Sequence, residues 1–327
     1  VGLLLYTFKM RRILLTEADQ FPITDELVNL IAQEGYELKR MNGYEQQDIR
    51  EAGKDCFGIL MFHGDIDGGT LDSFQQMRII SRVGTGYEKI DVCEADRRGV
   101  VVTNVPGAFT DVLADHAMLF VLMYARQMPF ILRSRQSHHW PAPQEFPASG
   151  DLGDQTLGII GFGPSGQALA QRALAFGMEV KAWSRTRKPD IASQMGVQEV
   201  ALEEALNCDY VSLHVALTPD TAHIINAKSL KHFKSSGVLI NIGRGGLVDE
   251  NALIEALDSD RLRGAGLDVV DPEPLPPSSP LWQHEKVELT FHSAAFTAAG
   301  GERCMRAALE EIFRVGSGQE PLNRVKS

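Results

Sequence analysis

Three polar residues in the last third of the chain, Arg244, Glu273 and His292, each stand shortly after an apolar run that reads as a strand, at 238–242, 265–269 and 287–290. Open α/β sheets place their ligands at such strand ends. Taken singly, Arg244 would cap a loop, Glu273 would be a solvated acid and His292 a satisfied loop histidine. Together they suit one chemistry. A guanidinium grips a carboxylate through two parallel hydrogen bonds. A histidine beside a carboxylate has its protonated form favoured and can pass a proton to a carbonyl oxygen. The trio lacks a hydride, which a nicotinamide would supply while the protein supplies geometry and charge.

The elements that must position such a site centre on residues 156–187, TLGIIGFGPSGQALAQRALAFGMEVKAWSRTR. This stretch reads as strand, glycine turn, helix, strand and basic loop. Gly161, Gly163 and Gly166 have GxGxxG spacing, with Phe162, Pro164 and Ser165 between them. In a dinucleotide-binding βαβ unit the first glycine makes the turn, the second lets the backbone approach the pyrophosphate and the third lets helix and strand pack closely. The helix start offers free N–H groups to the phosphates. Where an NAD-binding unit usually carries an acid, this chain has Ser184 and Arg185, followed by Thr186, Arg187 and Lys188. Positive charge without a carboxylate suits the 2′-phosphate of NADP. The alternative is a solvated basic loop that accepts either cofactor.

A chain of 327 residues predicts two domains, and 44% hydrophobic with 23% charged residues predicts ample core. A net charge of −11 leaves no basic surface for nucleic acid. Cys56, Cys93, Cys208 and Cys304 are scattered without metal-ligand spacing, which suits a reducing cytoplasm and no metal. The first nine residues are apolar but too short to span a membrane. Met10, followed by Arg11 and Arg12, is the expected natural start. Apolar runs at 12–15, 36–40, 57–61, 78–82 and 100–103 alternate with helical patterns at 24–33, 45–53, 69–76 and 91–98, so a parallel sheet covered on both faces is expected. An apolar helix at 108–126 leads to a second helical piece ending near Trp140 and a proline-rich loop at 141–150. Strands at 210–215, 238–242, 265–269 and 287–290 extend the second sheet, with helices near 202–206, 228–232 and 250–257. A last helix is expected at 298–315.

Over nearly the whole chain the sequence resembles the D-isomer-specific 2-hydroxyacid dehydrogenases. The motifs that carry this are RVGTGYEKID at 82–91, TNVPGAFTDVLADHA at 103–117, GFGPSG at 161–166, NIGRGGLVDENALIEAL at 241–257, GAGLDVVDPEPL at 264–275 and FHSAAFT at 291–297. The resemblance implies two Rossmann-like, doubly wound parallel-sheet domains with a cleft between them. Residues 1–104 and 293–327 would form a flavodoxin-like substrate domain, and 105–292 the dinucleotide domain. It implies that Arg244 orients the substrate carboxyl and polarises its carbonyl, that His292 is the acid/base and Glu273 its partner. Asp268 would hold the nicotinamide amide. Backbone N–H groups around Val83 and Gly84 would bind the carboxylate from the other domain.

His63, after the strand at 57–61, would face the substrate or stand as a surface loop histidine. His138, His139 and Trp140 lack metal spacing and would border a neighbouring subunit's pocket or an interface. The chain departs from the family's pattern at Phe291, where proline usually precedes the histidine, at Asp115, where glutamate is usual, and at NIGRGG in place of NxARG. The activity implied is reduction of a small 2-oxo acid, of the glyoxylate or hydroxypyruvate type, by NADPH or NADH in a cytoplasmic homodimer. A dinucleotide sensor like the C-terminal binding proteins, which share LMFH at 60–63, is the alternative from another class. Such a sensor would be expected to carry long disordered tails for docking partners, and this expectation weighs against that alternative. A phosphoglycerate dehydrogenase is a further alternative, disfavoured by the short stretch after His292 and by Ser184. Glu273 stands where formate dehydrogenases carry glutamine.

Overall fold

The computed structural model describes residues 10–326 except Pro22 and Ser149. The expected start at Met10 concerns residues 1–9, which lie outside the described residues. The chain divides into two units, one running to Phe109 and resuming at Thr297, the other Thr110–Phe296.

The first unit alternates strand and helix as β1 (Arg11–Leu15), α1 (Asp25–Gln33), β2 (Tyr36–Arg40), α2 (Gln46–Gly53), β3 (Gly58–Met61), α3 (Gly68–Ser73), β4 (Ile79–Arg82), α4 (Val92–Arg97) and β5 (Val101–Thr103). The strands form one parallel sheet in the order β2-β1-β3-β4-β5. Successive residues serve opposite faces, so Ile13 and Leu15 of β1 join one core and Leu14 the other. Both faces are buried, which is why β1, β3 and β4 read as continuous apolar runs. Side-chain caps start three of the helices. Thr24 accepts the N–H of Leu27, Asp67 that of Thr70 and Asp91 that of Glu94.

The second unit begins with α5 (Thr110–Ala125) and α6 (Met128–Gln136) and continues through β6 (Thr156–Ile160), α7 (Pro164–Ala175), β7 (Glu179–Trp183), α8 (Pro189–Met195), β8 (Gln198–Glu199), α9 (Leu202–Leu206), β9 (Tyr210–Leu213), β10 (Val238–Asn241), α10 (Glu250–Asp258), β11 (Gly264–Leu267) and β12 (Val287–Leu289). Its parallel sheet has the order β12-β11-β10-β9-β6-β7-β8, so the direction of winding reverses between β6 and β9. The final helix α11 (Ala298–Gly316) belongs to the first unit, where Cys304, Met305, Ala308, Leu309 and Ile312 pack with Ile13, Leu60 and Ile79. Ser81 Oγ donates to the Ala308 carbonyl at 2.9 Å.

Several local expectations are corrected. The helix expected to reach Trp140 stops at Gln136, because His138 turns the chain with φ 55. The helix expected at 228–232 is a single 3-10 turn, Ser229–His232. Helix α8 and the two-residue edge strand β8 lie outside the expected pattern. Pro189 at the start of α8 and left-handed Gly196 at its end are the boundary signals that mark it.

Candidate active site

The glycine loop sits where the winding of the second sheet reverses, and neighbouring backbone dictates two of its glycines. Gly161 follows β6 with φ 108, and a Cβ there would lie 2.5 Å from the carbonyl carbon and oxygen of His214. A Cβ on Gly166 would lie 2.2 Å from the Gly161 carbonyl oxygen and 3.0 Å from Ile159. Gly163 differs, since a Cβ on it would meet nothing within 4 Å. It caps α7, and Pro164 follows as the first helical residue. Open space beside the middle glycine, at a helix start with free N–H groups, is the cradle a pyrophosphate fits.

Phe162 is buried, and its carbonyl accepts from Gln167 Nε2 at 3.0 Å and Lys188 Nζ at 3.1 Å. Ser165 Oγ lies 3.1 Å from His214 Nδ1, while His214 Nε2 lies 3.0 Å from Ser212 Oγ. Burial pushes the His214 imidazole down to about 3. This neutral ring, invisible to sequence reasoning, braces the glycine loop from the end of β9.

The basic loop after β7 is less free than its sequence implies. Ser184 Oγ turns inward to the Thr186 carbonyl at 2.8 Å. Arg187 pairs with Glu199 at 3.2 Å, and the Lys188 N–H donates to the same carboxylate at 2.8 Å. Arg185 lies 3.5 Å from Asp220, with both side chains largely in solvent. The loop itself carries no carboxylate, as expected, but the fold brings Glu199 and Asp220 against it.

The structure brings Arg244, Glu273 and His292 to the ends of β10, β11 and β12. His292 Nδ1 lies 2.7 Å from Glu273 Oε2, and Glu273 Oε1 accepts the Val270 N–H at 3.2 Å. Burial alone would raise the Glu273 carboxyl. The hydrogen bond and charge of His292, the Val270 N–H and the charge of Arg244 outweigh it, so the group lies below its ordinary value. The ionised carboxylate can only accept, which places a proton on Nδ1 of His292 and leaves Nε2 with no hydrogen bond among the described residues. The Arg244 loop is held by buried Asn241, whose Nδ2 donates to the Arg244 carbonyl at 2.9 Å and whose Oδ1 accepts from Gly243 at 3.1 Å. A Cβ on Gly245 would lie 2.0 Å from the Val270 carbonyl oxygen, so only glycine lets the loop pass β11.

Asp268 anchors the turn that carries His292. Its buried Oδ1 accepts from Thr290 Oγ1 at 2.6 Å, from the Ser293 N–H at 2.8 Å and from the Ala294 N–H at 3.2 Å. His116 on α5 joins through Thr290, 2.8 Å away. Phe291 and His292 both have left-handed backbone, φ 56 and φ 55. Proline, fixed near φ −65°, cannot hold that conformation, so the departure at Phe291 goes with a different path of the chain into His292. Phe291 stacks on Trp282 with ring centroids 5.6 Å apart.

In the first unit, His63 follows β3 and Val83 and Gly84 follow β4. Carboxylate donors are expected around Val83 and Gly84, and of these the Val83 N–H donates to Met61 O at 2.8 Å and the Gly84 N–H to Arg82 O at 3.0 Å. Among the described residues the next two N–H groups, of Thr85 and Gly86, have no partner. The cluster at 138–140 is divided, with His139 bonded to Glu145 at 2.7 Å and Trp140 94% exposed.

Two doubly wound parallel sheets, a glycine cradle at a switch point and a His–Glu pair beside an arginine define a dinucleotide-dependent oxidoreductase. The NAD-binding domain of the D-isomer specific 2-hydroxyacid dehydrogenases matches residues 118–294, and the chain belongs to that family. It is thus an enzyme that interconverts a 2-oxo acid and its D-2-hydroxy acid with a nicotinamide dinucleotide. Glyoxylate reductase of Korarchaeum cryptofilum is 36% identical over 281 residues, 85% of each chain. Glyoxylate reductase of Thermococcus litoralis is 39% identical over 267 residues, 80% of each. The crystal structure of TT0316 protein from Thermus thermophilus matches with a TM-score of 0.86 and 34% identity, covering 96% of this chain and 99% of that one. No helix among the described residues is long and apolar enough to cross a membrane.

Proposed function

We propose that the chain reduces a small 2-oxo acid of the glyoxylate or hydroxypyruvate type to the D-2-hydroxy acid, with NADPH preferred over NADH. The 2.7 Å pair of His292 and Glu273 carries this reading. Glu273 holds the Nδ1 proton, so Nε2 of His292 is the atom that gives a proton to the carbonyl oxygen. Arg244 grips the carboxylate and draws charge from the carbonyl. In the first unit, Val83 to Gly86 form the carboxylate loop, with Thr85 and Gly86 supplying the open N–H groups. The nicotinamide supplies the hydride. Gly161, Phe162, Gly163, Pro164, Ser165 and Gly166 would hold its pyrophosphate, and Asp268 would accept from its amide with the capacity its turn contacts leave. Ser184, Arg185, Thr186 and Arg187 would meet the 2′-phosphate, Arg185 foremost. A cytoplasmic homodimer completes the proposal.

The test is steady-state oxidation of NADPH and NADH with glyoxylate, hydroxypyruvate, pyruvate and bulkier 2-oxo acids. His292→Ala should lower kcat by about 100-fold or more, with cofactor affinity near wild type by fluorescence titration. A kcat that hardly changes sinks the acid/base assignment. Cofactor binding without turnover of any substrate would favour the dinucleotide sensor.

A further inference from the structure

The first unit contains a second glutamate–histidine pair, and it lies where its own sheet reverses. In the order β2-β1-β3-β4-β5 the winding changes direction between β1 and β3, and ligands bind outside the carboxyl ends of strands at such a point. Glu17 follows β1 and His63 follows β3. The Glu17 side chain is fully buried, and its backbone has φ 54, a conformation L residues rarely adopt. Glu17 Oε1 lies 2.6 Å from His63 Nδ1. Glu17 Oε2 accepts from Thr16 Oγ1 at 2.8 Å, from the His63 N–H at 3.0 Å and from the Phe62 N–H at 3.2 Å. Burial alone would raise this carboxyl, but the bonds from His63 and Thr16 hold it below its ordinary value.

Both carboxylate oxygens of Glu17 are thus engaged, Oε1 by the His63 imidazole and Oε2 by Thr16 and the N–H groups of Phe62 and His63. That ring is not buried: the His63 side chain is 44% exposed. Its Nε2 has no hydrogen bond among the described residues. Phe21 and Tyr44 flank it, each with its ring centroid 5.9 Å away. Gly64 turns the chain away at once with φ 95, where a Cβ would lie 2.9 Å from Ile49. A clamp between two loops would need no open nitrogen.

We infer that Glu17 is a positioning residue that fixes the Nδ1 proton of His63, and that His63 Nε2 takes a hydroxyl on the substrate beyond its keto carbon. This rests on the proposed 2-oxo acid reduction. With Nδ1 committed, a neutral ring offers a lone pair at Nε2 and a charged ring offers an N–H. A hydroxyl serves both states because it donates and accepts, whereas a carboxylate or phosphate serves only the second. The substrate class is therefore a 3-hydroxy-2-oxo acid, with hydroxypyruvate as the probe and pyruvate as the control that lacks the hydroxyl.

The full-length protein, labelled with 15N at histidine, gives the first readout. The His63 ring should show a protonated Nδ1, and its Nε2 resonance should move with hydroxypyruvate and much less with pyruvate. In Glu17→Gln the ring's protonation pattern should change. The second readout is the hydroxypyruvate-to-pyruvate ratio of kcat/KM, which should fall about three- to ten-fold in both His63→Leu and Glu17→Gln, chiefly through KM. An unmoved Nε2 resonance, an unaltered ratio, or a wild-type protonation pattern in Glu17→Gln overturns the inference. A preference for a 2-oxo diacid that both variants abolish overturns the hydroxyl assignment. Should Glu17→Gln fail to fold, the wild-type ring titration decides alone. A protein that reduces no 2-oxo acid overturns the proposed function instead, and the same titration still decides this inference because it reads binding without turnover.

Discussion

On the proposed reading, cofactor choice would turn on single side chains around the β7 end. Both arginines are exposed, but Arg187 is tied to Glu199, whose side chain is only 9% exposed, while Arg185 meets Asp220, which is 78% exposed. An exposed pair of that kind contributes roughly 0–1 kcal/mol and weakens with salt, so Asp220 would be only a mild brake on a 2′-phosphate held by Arg185. Asp220→Asn should raise kcat/KM for NADPH by about two- to five-fold with little change for NADH. Arg185→Asp should move the preference toward NADH, and Arg187→Ala should move it less. The check is the NADPH-to-NADH ratio at low and high salt; a ratio indifferent to Arg185 would point to another 2′-phosphate ligand. The arginines were legible as charge beside a missing acid. Their acidic partners were not, because Glu199 lies in an edge strand and Asp220 in a loop that only folding brings near.

At the scale of elements, the glycine loop separates two kinds of glycine. Gly166→Ala sets a methyl 2.2 Å from a backbone oxygen, so helix and strand must part, and we expect a lowered Tm together with weakened cofactor binding. Gly163→Ala meets nothing in the protein itself. Its Tm should stay near wild type while, on the proposed placing of the pyrophosphate, the methyl would enter that group's space and NADPH Kd should rise at least about ten-fold. Thermal melts and fluorescence titration distinguish the two, and equal behaviour would contradict the assigned roles. This loop was legible because its turn, its helix start and its glycine spacing are local. The Asp268 turn was not, since it depends on Thr290, Ser293, Ala294 and His116, which converge from β12, the segment after it and α5.

For the molecule as a whole, buried histidine couples stability to pH. His214 is pushed from 6.5 to about 3, and burial also lowers His116 against the opposing charge of Asp268. Between these values the unfolded chain binds a proton that the native His214 refuses. Stability is therefore complete above about 6.5 and falls as pH drops, by up to about 1.4 kcal/mol per pH unit from His214. Urea midpoints from pH 7.5 to 4.5 should show this slope, and His214→Gln should flatten it above the range where carboxylates titrate. An equal slope in both proteins would place the linkage elsewhere.

The sequence alone determined the two-sheet α/β architecture, the glycine loop after β6 and the placing of Arg244, Glu273 and His292 just past strand ends. Those features are written in short-range periodicity, in glycine spacing and in residues just past strand ends. Only the tertiary structure decided which donors are spent, at Val83 and Gly84, and which carboxylates stand beside the Arg185 loop. It alone paired Glu17 with His63 and braced Ser165 with His214. These outcomes depend on which strands are neighbours in a sheet. Neighbours in a parallel sheet are joined by crossovers rather than tight turns, so their strand-end partners are far apart in the chain and leave no local pattern to read.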